Sequence, residues 1–115
     1  MQVSTGLFEG IVLQRNAQSV SDARFSGVCK RSGRLVARVT CRGRVVRGFA
    51  RAQVGRAARC RFVGRLAGLP AGGPYNVTLS LLDTHGREVE RAAFKDVLVG
   101  DVWLLGGQSN MEGIG

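Results

Sequence analysis

The segment YNVTLSLLD, residues 75–83, constrains the fold of this chain more than any other. Its apolar side chains fall on one parity and are Tyr75, Val77, Leu79 and Leu81; Leu82 alone breaks the alternation. Period-two alternation over this length is typical of a β-strand that buries one face, and it does not fit the 3.6-residue period of a helix. The chain is therefore expected to build a sheet with one buried and one solvated face.

Further segments repeat the pattern. RLVARVTCR, residues 34–42, places arginines on one parity and apolar residues on the other, and residues 45–50 are predicted as its return strand. Residues 57–69 are predicted as another strand, closed by the turn LPAGGP, and DTHG turns the chain into a strand at 87–94. Weaker strand candidates lie at 10–14 and 20–27. Short strands separated by glycine-rich turns predict a mainly β chain, specifically an antiparallel β-sandwich.

The net charge of +9 comes almost entirely from arginine and raises the possibility of nucleic-acid binding. The alternation places these arginines on the solvated face of the strands, whereas Phe62 falls on the apolar parity. No aromatic platform is therefore predicted beside the basic face, as binding of single strands would require. A nucleic-acid partner is not expected, although it remains a lesser alternative, as does affinity for an anionic polysaccharide.

The three cysteines, Cys29, Cys41 and Cys60, are odd in number and lack CxxC spacing. Cys41 and Cys60 lie on apolar parities, so we expect small buried side chains, with one disulfide and a free thiol as the alternative. A zinc site built on these cysteines would require histidine ligands as well, and the sole histidine, His85, lies in the DTHG turn. Neither a metal nor a cofactor is expected.

No run of 18 apolar residues is present, so a membrane-spanning helix is not expected. The opening MQVSTGLFEG has neither the basic start nor the apolar stretch of a signal peptide. Compartment and oligomeric state stay open at this stage.

The pattern changes at Asp96. DVLVGDVWLLGG, residues 96–107, is almost continuously apolar, which suits a strand buried on both faces of a parallel sheet. We therefore predict a β-sandwich domain over residues 1–95 and the start of an α/β domain over residues 96–115.

Ser109 follows this apolar segment and fits two interpretations. Ser109 and Glu112 form an S-x-x-E capping box, which any strand-to-helix turn could use. The same turn also serves catalysis, because the Ser109 N–H would point at a developing oxyanion in the positive field of the helix end. Gly106 and Gly107 would let substrate approach the backbone closely.

Three landmarks carry a family resemblance. VGDVWLLGGQSNMEG, residues 99–113, resembles the first conserved block of the sialate O-acetylesterase-like carbohydrate esterases of the SGNH hydrolase superfamily. IVLQR, residues 11–15, and LPAGGPYNVTL, residues 69–79, resemble segments of that family's N-terminal sandwich. All three stand in the family's order.

The resemblance implies an Ig-like antiparallel β-sandwich followed by the first strand and helix start of a flavodoxin-like α/β hydrolase domain. Ser109 would be the nucleophile and an oxyanion N–H donor, and Gly107, Gln108 and Asn110 would bind substrate. The substrate would be an O-acetylated carbohydrate, sialic acid or another acetylated sugar, and the parent protein would be extracytoplasmic or secreted.

The family's Asp-x-x-His, which supplies the general base, is not in this sequence. We therefore expect an N-terminal fragment that is inactive as an isolated chain, because a serine without a positioned base is a poor nucleophile. A stand-alone β-sandwich that binds glycans or has a structural role is the alternative.

Overall fold

The computed structural model describes residues 1–100, and no helix occurs in that range. The chain is mainly β, as the alternation predicts. No helix in this described part is long and apolar enough to cross a bilayer. The strands are β1 (Gln2–Thr5), β2 (Val12–Gln14), β3 (Val20–Val28), β4 (Gly33–Cys41), β5 (Arg44–Val45), β6 (Ala52–Ala58), β7 (Arg61–Pro70), β8 (Gly72–Leu82) and β9 (Glu88–Gly100).

The strands form one curled mixed sheet in the order β1-β3-β7-β6-β4-β8-β9-β2, and β5 pairs with β4. Every pairing is antiparallel except that of β2 with β9. An isolated bridge from Arg15 to Ser21 brings the chain just after β2 beside β3. The sheet thereby curls around a single core, and the division into the two layers of an Ig-like sandwich stays a prediction.

The core lies inside the curl and follows the predicted parity. The four apolar residues of the YNVTLSLLD segment are all buried, and so are Leu35, Ala37 and Val39 of the neighbouring β4. Because β4 and β8 pair in register from Arg34↔Leu82 to Cys41↔Tyr75, the two apolar rows meet side by side. Burial of one face therefore selects this register, since a shift of either strand by one residue would turn that strand's apolar row to the solvent.

The predicted strand over residues 57–69 is confirmed from Arg61 onward as β7, but its start is wrong, because the chain turns at Arg59 and Cys60 between β6 and β7. Both residues have positive φ, 54° and 65°, the combination of a two-residue type I′ turn. Cys60 is exposed here, against the prediction that it turns inward; Cys29 is buried, Cys41 is partly buried, and all three are free thiols. Glycine and asparagine normally mark such turns, so the sequence carries no signal for this one.

The predicted return strand over residues 45–50 is also wrong. Only Arg44 and Val45 pair with β4, as the short β5. The chain then loops, and β6 takes the place beside the rest of β4. Phe49, from this loop, inserts into the core with 9% exposure and donates its N–H to Val46 O. Burial of this aromatic ring stabilises the loop instead of a longer hairpin.

Replacing Cys60 with glycine is expected to stabilise the protein by about 1 kcal/mol, because glycine adopts positive φ without steric strain. The turn at Arg42 and Gly43 offers the reverse test, since Gly43 has φ 83° with open space around it. Gly43→Ala is expected to destabilise by a similar amount. Urea unfolding of both variants checks the pair. A lower urea midpoint for C60G than for the parent chain would contradict the expectation that Cys60 is strained in this turn.

β9 runs from Glu88 to Gly100 and so crosses the predicted domain boundary at residue 96. Asp96 has a φ of 57°, and the register with β8 shifts between Tyr75 and Val77, which pair with Val97 and Phe94. A bulge of this kind bends the strand locally. The division into domains at residues 95 and 96 remains a prediction.

Glu90 of β9 holds two chain segments against the sheet. Its Oε2 accepts hydrogen bonds from the N–H groups of Lys30 and Arg31, at 3.0 and 2.9 Å. Its Oε1 lies 2.8 Å from the Met1 ammonium, and the carboxylate side chain is only 10% exposed. Desolvation alone would raise the pKa of Glu90, but these hydrogen bonds outweigh it and hold the pKa below its ordinary value.

Glu90→Gln is expected to lower the free energy of unfolding by about 2 kcal/mol at pH 7, since bonds to a charged acceptor are lost. Because the folded-state pKa is depressed, the carboxylate contributes fully above its unfolded value, near 4.5. That contribution disappears as the pH falls through the folded pKa. Urea unfolding at pH 7 and pH 3 should show the difference between parent and variant shrinking with acid.

The exposed Glu9 supplies the matched control for Glu90→Gln, since no hydrogen bond or ion pair joins it to another residue of the range 1–100. Glu9→Gln is expected to leave stability nearly unchanged at both pH values. A deficit for E90Q that stays constant from pH 7 to pH 3 contradicts the electrostatic role of Glu90.

Candidate functional site

The predicted nucleophile Ser109, with Gly107, Gln108 and Asn110, lies outside the described residues. The described strand β9 ends at Gly100, nine residues before Ser109. These predicted roles therefore stay predictions.

The end of β9 is fixed on both sides. Val97 and Val99 point into the core, with 0% and 3% exposure. Leu98 N–H donates to Ile11 O at 2.9 Å, and Arg15 N–H donates to Gly100 O at 3.1 Å. Because β2 and β8 flank β9, the sheet fixes the position of the chain as far as Gly100.

His85 lies in the turn between β8 and β9 and is exposed, as the sequence predicted. The carboxylate of Asp83 organises this turn, since its Oδ1 accepts the N–H groups of His85 at 2.8 Å and Arg87 at 2.9 Å. The bond from the Arg87 N–H and that from the His85 N–H lower the pKa of Asp83. The turn thus has a structural explanation that uses the backbone of His85 and not its imidazole.

The arginines predicted for the solvated face are exposed, whereas Phe62 is not. Phe62 is 1% exposed and packs against Phe25 in the core, with ring centroids 6.3 Å apart. Arg65 forms a bidentate pair with Asp22, at 2.6 and 2.8 Å, in which the hydrogen bond from Arg65 lowers the pKa of Asp22. Phe62 therefore lies on the buried parity, as predicted, although Phe8, which follows β1, is 59% exposed.

A groove of about 480 Å³ lies on the outer face of β4, β8 and β9. We call it the β4–β8–β9 groove. Three arginines, one glutamate and three hydroxyl side chains line it, together with Val36, Leu82 and small residues. The charged and hydroxyl residues are Arg38, Arg51, Arg91, Glu88, Thr40, Thr78 and Ser80.

Strand register explains how these side chains meet. Ser80 of β8 stands opposite Val36 on one side and Arg91 on the other. Arg38 stands opposite Thr78, which is the next pair on the same face: two residues after Val36 in β4 and two residues before Ser80 in the antiparallel β8. Since alternate residues of a strand share a face, these two rows project side by side from the outer surface.

Some groove residues are already bonded to one another. Ser80 Oγ donates to Glu88 Oε1 at 2.6 Å, and Arg91 Nε donates to the same oxygen at 3.1 Å. The bonds from Ser80 and then from Arg91 lower the pKa of Glu88, so this carboxylate is ionised at neutral pH. In addition, Arg51 Nη2 donates to Gly86 O at 3.2 Å, which bridges two loops.

Arg38 differs from its neighbours in the groove. It is exposed, and no hydrogen bond or ion pair joins it to any other residue between 1 and 100. Its guanidinium is therefore free to bind a ligand, whereas Arg51 and Arg91 already donate to protein oxygens.

Sequence reasoning missed this groove. Arg38 was interpreted as one of several solvated arginines, and Thr78 and Ser80 as the polar parity of a strand. The signal available was that β4 and β8 both alternate strongly, which favours their pairing and would bring Arg38 close to Thr78. The contributions of Arg51 and Gly86 depend on loop positions that no local pattern reveals.

Residues 1–100 contain no group of three or more histidine, cysteine, aspartate or glutamate side chains placed to hold a metal ion. A scan against models of known protein families found no match to this chain, and a search of curated proteins found none either.

Proposed function

We propose that this chain is the N-terminal part of a serine carbohydrate esterase that removes O-acetyl groups from sialic acid or another acetylated sugar. The observation that carries the proposal is the GQSNM segment, residues 107–111, at the end of an apolar stretch of sequence whose described part, up to Gly100, belongs to β9. The resemblance of three segments in the family's order supports it. Ser109 attacks the acetyl carbonyl, and its own N–H stabilises the oxyanion.

In this proposal the curled sheet is an Ig-like domain that precedes the catalytic domain. Two features support the assignment. The first is the parallel pairing of β2 with β9 in a sheet that is otherwise antiparallel. The second is the bond from Tyr75 Oη to Pro70 O, 2.7 Å long, which ties the start of β8 to the preceding corner. A tyrosine bonded in this way at such a corner is a hallmark of Ig-like sandwiches.

The sheet fixes the chain up to Gly100, the last described residue before the proposed catalytic segment 107–111. The bonds of Leu98 and Gly100 to the β2 side of the sheet hold the end of β9. A nucleophile must be held in place to act, because small displacements of reacting groups reduce the rate steeply. We assign this anchoring role to β2 and β8.

The test begins with the coding DNA that contains this chain, read in frame past the codon for Gly115. The protein it encodes is expressed and assayed for acetate release from O-acetylated sialic acid and from acetylated xylan. The proposal expects an Asp-x-x-His downstream and measurable acetate release from at least one substrate. A longer product that lacks this block and releases no acetate overturns it.

A second function, a β-domain that binds glycans on its own, is favoured by the β4–β8–β9 groove. Its lining combines hydroxyl groups, an unpaired arginine and apolar side chains, and a sugar-binding site requires side chains of these kinds. This function is compatible with the first, because the groove lies on a different part of the chain from Ser109.

A further inference from the structure

We infer that the β4–β8–β9 groove binds a carboxylated oligosaccharide and that Arg38 contacts the sugar carboxylate. This inference does not depend on the esterase proposal, because every residue it uses lies within residues 1–100. It assigns the chain a second ligand site, separate from any chemistry at Ser109.

The net positive charge of the groove lining favours an anionic ligand. Three arginines face a single glutamate there, so the lining carries an excess of positive charge. Glu88 is satisfied by Ser80 and Arg91, and Arg51 is engaged with Gly86. Arg38 is the arginine left to form a new pair. Its planar fork matches the two oxygens of a carboxylate, and such bidentate bonds are among the strongest in proteins.

The remaining lining matches the rest of a sugar. Thr40 and Thr78 present hydroxyl groups that both donate and accept, as sugar hydroxyls require. Val36 and Leu82 supply an apolar floor, and both are under 9% exposed. An apolar floor beside hydroxyl groups suits a pyranose ring, which has an apolar C–H face and a polar edge.

The shape of the groove limits the size of the ligand. A volume of about 480 Å³ falls within the range of small-molecule sites. The bond between Arg51 and Gly86 joins the loops at one end of the groove. A short oligosaccharide therefore fits better than an extended chain that must run across the surface.

Nucleic acid fits the same groove less well. No aromatic side chain lines it among the described residues, so bases would find no stacking surface. Phe25 and Phe62 are inside the core, and the exposed Phe8 is not among the residues that line the groove. Phosphate contacts alone would give binding that depends steeply on salt and little on sugar structure.

The test is isothermal titration of the complete 115-residue chain with trigalacturonate, with its trimethyl ester as the uncharged probe. The parent chain is expected to bind the acid and to bind the ester at least about tenfold more weakly, as loss of a charged hydrogen bond predicts. Arg38→Gln is expected to weaken trigalacturonate binding by about tenfold. Arg38→Lys keeps the charge but lacks the fork, so its affinity should fall between these two.

Arg61→Gln is the matched control, because Arg61 of β7 is also exposed and its side chain forms no hydrogen bond or ion pair with any residue between 1 and 100. It removes the same charge away from the groove and should leave affinity within about twofold of the parent value. Thermal melts of all three variants check that they fold. If R38Q does not fold, R38K against the R61Q control still decides the question.

Four results overturn the inference. One is equal affinity for the acid and its ester, and another is an R38Q affinity equal to that of R61Q. The third is a single-stranded oligonucleotide that binds more tightly than trigalacturonate and loses affinity in R38Q, since the groove then serves nucleic acid. Absence of any trigalacturonate binding by the parent chain also overturns it.

Discussion

On the proposed esterase function, replacing Ser109 with alanine is expected to reduce acetyl-ester hydrolysis by about a thousandfold or more in the longer protein that the proposal expects. The reason is that alanine offers no oxygen to attack the acetyl carbonyl, whereas its N–H can still stabilise an oxyanion. Residual activity above the uncatalysed rate is therefore compatible with the assignment. The measurement is kcat for acetate release, with KM determined alongside.

A drop in kcat with little change in KM is the expected signature, since the serine oxygen acts on the reacting bond more than on the bound sugar. Ser32→Ala is the control, because Ser32 is exposed in the turn before β4 and no residue between 1 and 100 bonds to it. It should keep the parent rate. Activity of S109A within tenfold of the parent protein contradicts the assignment of the nucleophile.

The strongest strands of this fold could be predicted from the sequence because burial of one face imposes a period of two. In β8 and the central part of β4, every predicted inward residue is buried, and their pairing places both apolar rows in the core. A pattern of this kind reports on burial directly, so it is informative without any knowledge of the neighbours.

Turns and edges could not be predicted in the same way. Arg59 and Cys60 form a tight turn although neither residue type favours positive φ, and only the pairing of β6 with β7 determines that turn. The loop after β5 depends on the burial of Phe49, which is a tertiary effect. Local patterns miss both because the determining contacts come from distant parts of the chain.

The two candidate sites differ for a related reason. Gly107 to Asn110 lie in one contiguous segment that resembles a conserved block of the esterase family, so the resemblance alone proposes a role for Ser109. The groove is assembled from four separate segments, and each of its residues looks like ordinary solvated surface when considered alone. Only the pairing of β4 with β8 and β8 with β9 brings Arg38, Ser80 and Glu88 together.

Gly64→Ala is expected to destabilise the protein by about 2–3 kcal/mol, because the added methyl group overpacks the core. Gly64 stands opposite Phe25 in the β3–β7 pairing, and the phenyl ring occupies the space where a side chain at Gly64 would go. A Cβ at position 64 would overlap the end of that ring. The ring cannot simply move away, since it packs against Phe62. Urea unfolding measures the loss.

A double-mutant cycle with Phe25→Leu isolates this contact. Phe25→Leu alone is expected to cost about 1–2 kcal/mol through lost burial. The shorter side chain leaves room for a methyl group at position 64. The double variant should therefore be more stable than the sum of the two losses predicts, by about 1 kcal/mol.

Gly55→Ala supplies the control for this cycle, because Gly55 lies directly opposite Gly64 in the β6–β7 pairing. A Cβ there would overlap the backbone oxygen of Val63 and lie 2.7 Å from the Gly64 Cα, so its obstacle is main chain and not the phenyl ring. Phe25→Leu should give Gly55→Ala no relief. Equal relief of both glycine variants would show that Phe25→Leu loosens the sheet as a whole. Additive losses for Gly64→Ala and Phe25→Leu would contradict the proposed contact between these two positions.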